Sequence, residues 1–308
     1  MLPLADLHCD TLTELFNKNQ SLFSNNLHIS LDKATKYNPY LQTFAVYIED
    51  ERQNKLQYLR DAYDYFVKQI AINEQYITLC KSKSDVLTAI SENKTAAIIS
   101  IENFSFTDDK LQTVDIIRDM GVKLVSLTWN GENKLAGGAF SKGELTPLGK
   151  KAVYCLQDRN ITVDVSHLNT KSFYDVLSIT QKPLAATHSN CLSICDFPRN
   201  LNDDAIKEIK NTGGIIGLNL CPDFITDNKP CTSEDVLKQI EHFLNLGGED
   251  NLCLGCDFDG IDEVPGDIKN ISEMKNLSEC MEKHGYDKKI IEKIFFHNYI
   301  DFIKKGWA

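Results

Sequence analysis

The stretch PLADLHCDT, residues 3–11, runs mostly apolar and then sets an imidazole and a carboxylate two positions apart, at His8 and Asp10. Side chains of an extended strand alternate between faces, so His8 and Asp10 share one face and Cys9 takes the other. Seven further runs have a similar make-up: LQTFAVYI (41–48), TAAIISIE (95–102), VKLVSLTW (122–129), ITVDVSH (161–167), PLAATHS (183–189), GGIIGLNL (213–220) and NLCLGCDF (251–258). Most are continuous apolar stretches rather than strict alternations. That is the pattern of parallel strands buried on both faces. Eight such runs separated by longer amphipathic segments predict an α/β fold, a (β/α)8 TIM barrel.

Helical periodicity is expected over 56–80, 108–120, 147–158, 171–180, 203–211 and 233–246. Thr146 and Pro147 stand where an N-cap and a first helical residue belong. Glycines in MGV (120–122) and TGG (212–214) mark helix ends. The residues between Asp10 and the second run read as an irregular insertion. The amphipathic tail over 288–307 reads as a last helix that closes the barrel. No Pro-, Ser- or Gly-rich linker divides the chain, so residues 1–308 are expected to form one catalytic barrel domain.

The formal net charge is −11, with no basic runs, which argues against nucleic acid or an anionic membrane as partner. The start of the chain lacks the basic and apolar regions of a signal peptide. No apolar run approaches the roughly 18 residues that span a bilayer. A soluble, cytoplasmic protein is the expectation. Ten cysteines in such a chain are expected to be free thiols. Cys253 and Cys256, three apart on a strand, face opposite sides and are badly placed for a disulfide or a shared metal.

Chemistry in this fold sits at the C-terminal ends of the strands. His8 and Asp10 end the first run, Glu102 the third, His167 the fifth and His188 the sixth, and Asp257 stands near the end of the eighth. Any one of these could be a turn residue or a helix cap, and SHLNT (166–170) and THSN (187–190) also read as turns. Taken together, three imidazoles and three carboxylates match the ligand set of a dinuclear zinc-type site. A carboxylate between two cations lets them sit close together. The remaining histidines, His28, His242, His284 and His297, read as surface or structural.

The motifs DLHCDT, ISIEN, SLTWN, DVSHLN, ATHSN, PRNL and GCDFDG, in this order, resemble the membrane (renal-type) dipeptidases, zinc peptidases on the amidohydrolase-type barrel of metal-dependent hydrolases. The resemblance runs nearly end to end. It implies that His8 and Asp10 bind one metal, that Glu102 bridges two, and that His167 and His188 hold the second. Asp257 would touch the first metal and act as acid and base. Arg199 would grip the free carboxylate of a dipeptide substrate, and no lysine is placed to serve as a carbamylated bridge. The implied reaction is peptide hydrolysis by a hydroxide bridging two divalent ions, with zinc the expected metal, in a homodimer.

Two departures stand out. Mammalian members carry a histidine after the strand-4 threonine, where it contacts the substrate; here Thr128 is followed by Trp129. Trp129 is expected to shape the pocket; either the second metal alone takes over the role of the missing histidine, or the amide of Asn130 supplies the hydrogen-bond donor. Mammalian members are also secreted and lipid-anchored, whereas this sequence shows neither a leader nor an apolar tail. The rival readings are a deacetylase, lactonase or cyclic-amide hydrolase on the same barrel, or a non-catalytic relative. Arg199 argues for substrates that end in a free acid, and the retention of all six ligand positions argues for an enzyme.

Overall fold

The computed structural model describes residues 1–307. Its strands are β1 (Leu2–Cys9), β2 (Tyr37–Tyr47), β3 (Ile77–Leu79), β4 (Thr95–Glu102), β5 (Val122–Ser126), β6 (Thr162–Asp164), β7 (Ala185–Ala186), β8 (Ile215–Leu218) and β9 (Leu252–Leu254). All named pairings are parallel, as continuous apolar runs require. The order β1-β2-β4-β5-β6-β7-β8-β9 returns to β1, so eight strands close a barrel. Helices connect most of them on the outside. This is the (β/α)8 architecture expected from the alternation of runs.

The ninth strand corrects one helix. The segment expected to be helical over 56–80 is helical only over Lys55–Ile72. Asn73 caps that helix, and Ile77–Leu79 forms β3 against the first residues of β4, with Ile77 opposite Thr95. The β-branched Ile77 and Thr78 favour the extended pairing. A further helix, Lys83–Ser91, follows, begun by Ser82, whose side chain accepts from the Asp85 amide. The insertion after Asp10 is also more regular than expected. It opens with a helix over Thr11–Lys18, contains a short one over Leu31–Ala34, and gives way to β2 at Tyr37 rather than Leu41.

Alternation along β4 sorts the barrel interior from its outside. Ala96, Ile98, Ser100 and Glu102 share one face, opposite Leu41, Thr43, Ala45 and Tyr47 of β2. At the start of the strands this inner face is apolar: Ala5, Leu7, Leu41, Ala96, Ile98, Leu124 and Cys253 form one buried cluster. The tail plugs that end. Phe296, Tyr299, Ile300 and Ile303, on the helical run from Lys288 to Gly306, join the same cluster. The Tyr299 hydroxyl lies 2.7 Å from Thr43 Oγ1. Cys253 belongs to this inner cluster and Cys256 to the outer one between sheet and helices, so the two thiols do face apart. Cysteines are free throughout the described residues, among which no helix is long and apolar enough to cross a membrane.

The plug makes Tyr299 a stability residue remote from the polar end of the barrel. Tyr299→Ala should cost about 3–5 kcal/mol of folding stability, and Tyr299→Phe only about 1 kcal/mol. Urea unfolding of the metal-loaded variants checks this, and their metal content should match the native chain.

Candidate active site

Only His8 and Glu102 lie within strands. Asp10 follows β1 directly, His188 lies two residues past β7, and His167 and Asp257 lie three past β6 and β9. The backbone turns sharply to bring the last two inward: His167 has φ +70° and Asp257 φ +61°. Non-glycine residues reach this left-handed region at a cost of about 1–3 kcal/mol, and such strain gathers at functional sites. The following loop also needs Gly260, because a Cβ there would lie 2.2 Å from Asp10 Oδ2 and 2.7 Å from Asp257 Oδ1.

These turns bring all six residues to one buried spot at the polar end of the barrel, each 8 % exposed or less. His8 Nε2 lies 3.4 Å from Asp10 Oδ2, 3.1 Å from Glu102 Oε2 and 3.6 Å from Asp257 Oδ1. The other Glu102 oxygen, Oε1, is 3.1 Å from His167 Nε2. His167 Nε2 in turn is 2.7 Å from His188 Nε2. One carboxylate thus reaches both groups of donors, one oxygen to each. His8 stacks on His188 with ring centroids 3.9 Å apart, so the two groups adjoin. Potential ligand atoms of His8, Asp10 and Asp257, and again of His8, Glu102 and His188, lie within 4.8 Å of one another. Both ring nitrogens of His8 and Oδ1 of Asp10 are buried without a hydrogen-bonding partner. Buried donors of mixed nitrogen and oxygen type, left unpaired but converging, fit divalent cations.

The electrostatics are those of a tightly packed cluster: burial lowers His8, but the carboxylates of Asp10 and Glu102 outweigh it and raise His8 well above its ordinary value. Burial pushes Asp10 up to about 7, helped by the charges of Glu102 and Asp257. Burial also raises Asp257, with the Glu102 charge adding to it. For Glu102 burial is outweighed: His167 and His8 hold its carboxyl well below the usual range. His167 is pushed down to about 4 by burial and the Arg199 charge, and His188 well below its ordinary value by burial and His8. Both imidazoles are therefore neutral near pH 7, as ligation requires.

Groups behind the ligands fix their orientation, and most were not recognised from sequence. Asp164 accepts from the amides of Ser166 and Thr187 and, at 2.5 Å, from Thr187 Oγ1. That hydroxyl has one proton, given to Asp164, so it accepts from His188 Nδ1 at 2.8 Å. His188 Nε2 is left with its lone pair toward the site. His167 Nδ1 donates to Asn130 Oδ1 at 2.9 Å with the same result. Asn219 Nδ2 donates to Asp257 Oδ2 at 2.9 Å. Asp259 ties down the neighbouring loop by accepting from Thr11 Oγ1 and the His28 amide, while its own amide donates to His28 Nδ1. His28 is thus structural, whereas His242 and His284 pair with Asp203 and Glu234 away from the site. The threonine directly before His188 and the aspartate three before His167 were visible in sequence, but nothing local links them to each other.

Asp10, Glu102, His167 and Asp257 line a cavity of about 260 Å³, together with Tyr47, Trp129, Asn130, Arg199 and Phe224. Trp129 packs on Tyr47, ring centroids 5.3 Å apart. Arg199 is 5 % exposed and donates to the His188 carbonyl at 3.3 Å. It has no carboxylate partner among the described residues.

The family model for membrane dipeptidases, peptidase family M19, matches residues 1–305. The chain belongs to this family. Its activity is that of a metal-dependent dipeptidase. An uncharacterized protein of Klebsiella pneumoniae, from the pqqA 5′ region, is 28% identical over 268 residues, which span 80% of this chain and 98% of that one. An uncharacterized dipeptidase of Schizosaccharomyces pombe is 27% identical over 310 residues, 92% of this chain and 74% of its own. A metallopeptidase of Rhodobacter sphaeroides, solved with a phosphinate mimic of the dipeptide L-Ala-D-Ala, has the same fold at a TM-score of 0.91, with 22% identity and 99% of both chains covered.

Two outcomes follow for metal binding by this dipeptidase. Thr187→Val breaks the relay behind His188 and should weaken metal affinity about 10–100-fold, whereas Thr187→Ser should keep it; competition against a chromophoric chelator measures both. A cation must also displace the proton held by Asp10, whose carboxyl is pushed up to about 7. Affinity should therefore fall as pH drops through about 7, and binding below that pH should release protons, measurable by titration calorimetry in buffers of different ionisation enthalpy.

Proposed function

We propose that the residues gathered at this site hydrolyse dipeptides that carry a free C-terminal carboxylate. The observation that carries the reading is Arg199: a buried guanidinium, without a carboxylate partner among the described residues, lines one cavity with Asp10, Glu102, His167 and Asp257, four of the six converging metal-type ligands. A planar guanidinium matches a carboxylate by two parallel hydrogen bonds. A cavity of about 260 Å³ with the guanidinium in its wall favours a dipeptide over a longer chain.

His8, Asp10 and Asp257 would hold one divalent ion, His167 and His188 the second, with Glu102 shared between them. When bound, the two ions, with zinc the best match to three imidazoles and three carboxylates, supply a nucleophile from water near neutral pH and polarise the scissile carbonyl. Arg199 anchors the substrate's carboxylate and so sets the register of the peptide bond over the ligands. Asp257 takes the proton from the attacking water and returns it to the leaving amine. Its raised carboxyl suits that exchange, and Asn219 holds its second oxygen so that Oδ1 faces the reaction. Asn130 keeps His167 aligned, and its Nδ2 group is available as a donor to the carbonyl oxygen. Trp129, on Tyr47, narrows the pocket for the substrate side chains. One barrel carries all of these roles.

Arg199→Ala should lower kcat/KM for a dipeptide about 10–100-fold, the factor for a charge-assisted pair, and should affect the corresponding dipeptide amide much less. Equal losses for acid and amide would make Arg199 structural. Asp257→Asn should lower kcat by about 10²–10⁴; elemental analysis of the same sample separates lost proton transfer from lost metal, and about two ions per native chain are expected.

A further inference from the structure

A second, polar cavity of about 340 Å³ opens beside the first and shares the walls Glu14, Asp259, Gly260 and Ile261 with it. Nothing in the hydrolytic reading uses it. Asp259 is committed to the fold, since Thr11 Oγ1 and the His28 amide each donate to it at 2.5 Å. Glu14 is not. It stands in the first turn of the helix Thr11–Lys18, its side chain 23% exposed, and its one ion-pair partner is Lys18, at 2.6 Å. Lys18 is itself 53% exposed and lines the annex. Asp262 lines the annex as well and has no ion-pair partner among the described residues.

The barrel order says which end of a substrate meets this annex. Arg199 enters the cavity from the segment after β7, and Glu14 from the helix after β1; in the closed order β7 lies three strands from β1. A dipeptide whose carboxylate rests on Arg199 and which extends across Asp10 and Asp257 toward β1 would bring its N-terminal residue beside Glu14.

We propose that the annex receives the side chain of the N-terminal residue and that Glu14, supported by Asp262, selects a cationic one: lysine, ornithine or arginine. The proposal rests on the dipeptide reading with Arg199 as carboxylate anchor. An incoming ammonium or guanidinium that displaces Lys18 from Glu14 exchanges one ion pair for another, so its net gain comes from Asp262, the wall carboxylate without an ion-pair partner among the described residues, while its aliphatic stem lies along Ile261. An uncharged side chain of equal length leaves the Glu14–Lys18 pair in place and gains only the stem contact. Because Glu14 is partly exposed, the discrimination is that of a screened pair rather than a buried one.

The test measures kcat/KM of the metal-loaded full chain on Lys-Ala, Arg-Ala, Met-Ala and Ala-Ala. Lys-Ala should exceed the similarly sized, uncharged Met-Ala about fivefold at low ionic strength, and added salt should shrink the ratio. Glu14→Gln should bring the Lys-Ala to Met-Ala ratio to about one, and Lys18→Met, which removes the competing ammonium, should raise it. A native ratio near one, or a ratio unchanged in Glu14→Gln at equal metal content, overturns the proposal while the turnover itself upholds the dipeptide reading. Absence of turnover on all four dipeptides overturns both.

Discussion

Three carboxylates and three imidazoles buried together at one end of a barrel is the constraint on which the rest of this structure depends. Buried like charges within a few ångströms repel, and each loses its hydration. The protein alone answers only part of that cost. Asp10 and Asp257 are driven toward their protonated forms, and His167 and His188 toward neutral ones. Bound cations would answer the remainder, because they meet carboxylates and neutral imidazoles with positive charge at the point of convergence. The position of Glu102 shows how closely the frame is set: its two oxygens lie at 3.1 Å from nitrogens on opposite sides of the cluster.

A cluster of this kind needs a rigid frame, and the barrel divides that work between its two ends. At the start of the strands the lumen is filled with aliphatic side chains and sealed by Phe296, Tyr299 and Ile300. At the other end the strands stop early, and short turns carry the functional side chains. The left-handed residues His167 and Asp257 stay in place because packing elsewhere outweighs their strain. Hydrogen bonds with Thr187, Asn130 and Asn219 decide which atoms of His188, His167 and Asp257 face inward. The candidate ligands His167 and Asp257 and the backbone strain thus lie on the same loops, anchored by the apolar core at the other end of the barrel.

The spacing of His8 and Asp10 was legible because a strand has a period of two, so one face could be named without any tertiary knowledge. Glu102, His167 and His188 were legible because each interrupts an apolar run at its end. The strand Ile77–Leu79 was not, since its extended form comes from pairing with β4 rather than from its own short sequence. The helix Thr11–Lys18 was hidden in a stretch read as irregular, and with it the place of Glu14. Trp129 and Asn130 stood out as neighbours of an expected histidine. That Asn130 aligns His167 through its carbonyl oxygen emerged only from the fold.

The sequence by itself determined the strand and helix alternation, the parallel barrel, and the three imidazoles and three carboxylates that stand at or just beyond the ends of its strands. These depend on local periodicity and residue chemistry, which act within a few positions of the chain. Tertiary structure decided which oxygen of Glu102 meets which imidazole, which hydroxyl stands behind His188, and that a second acidic cavity adjoins the first. Those are contacts between segments far apart in the chain, such as Asp164 with Thr187 or Thr11 with Asp259. Their distances are set by how the strands register around a closed barrel, and no local pattern of residues encodes that register.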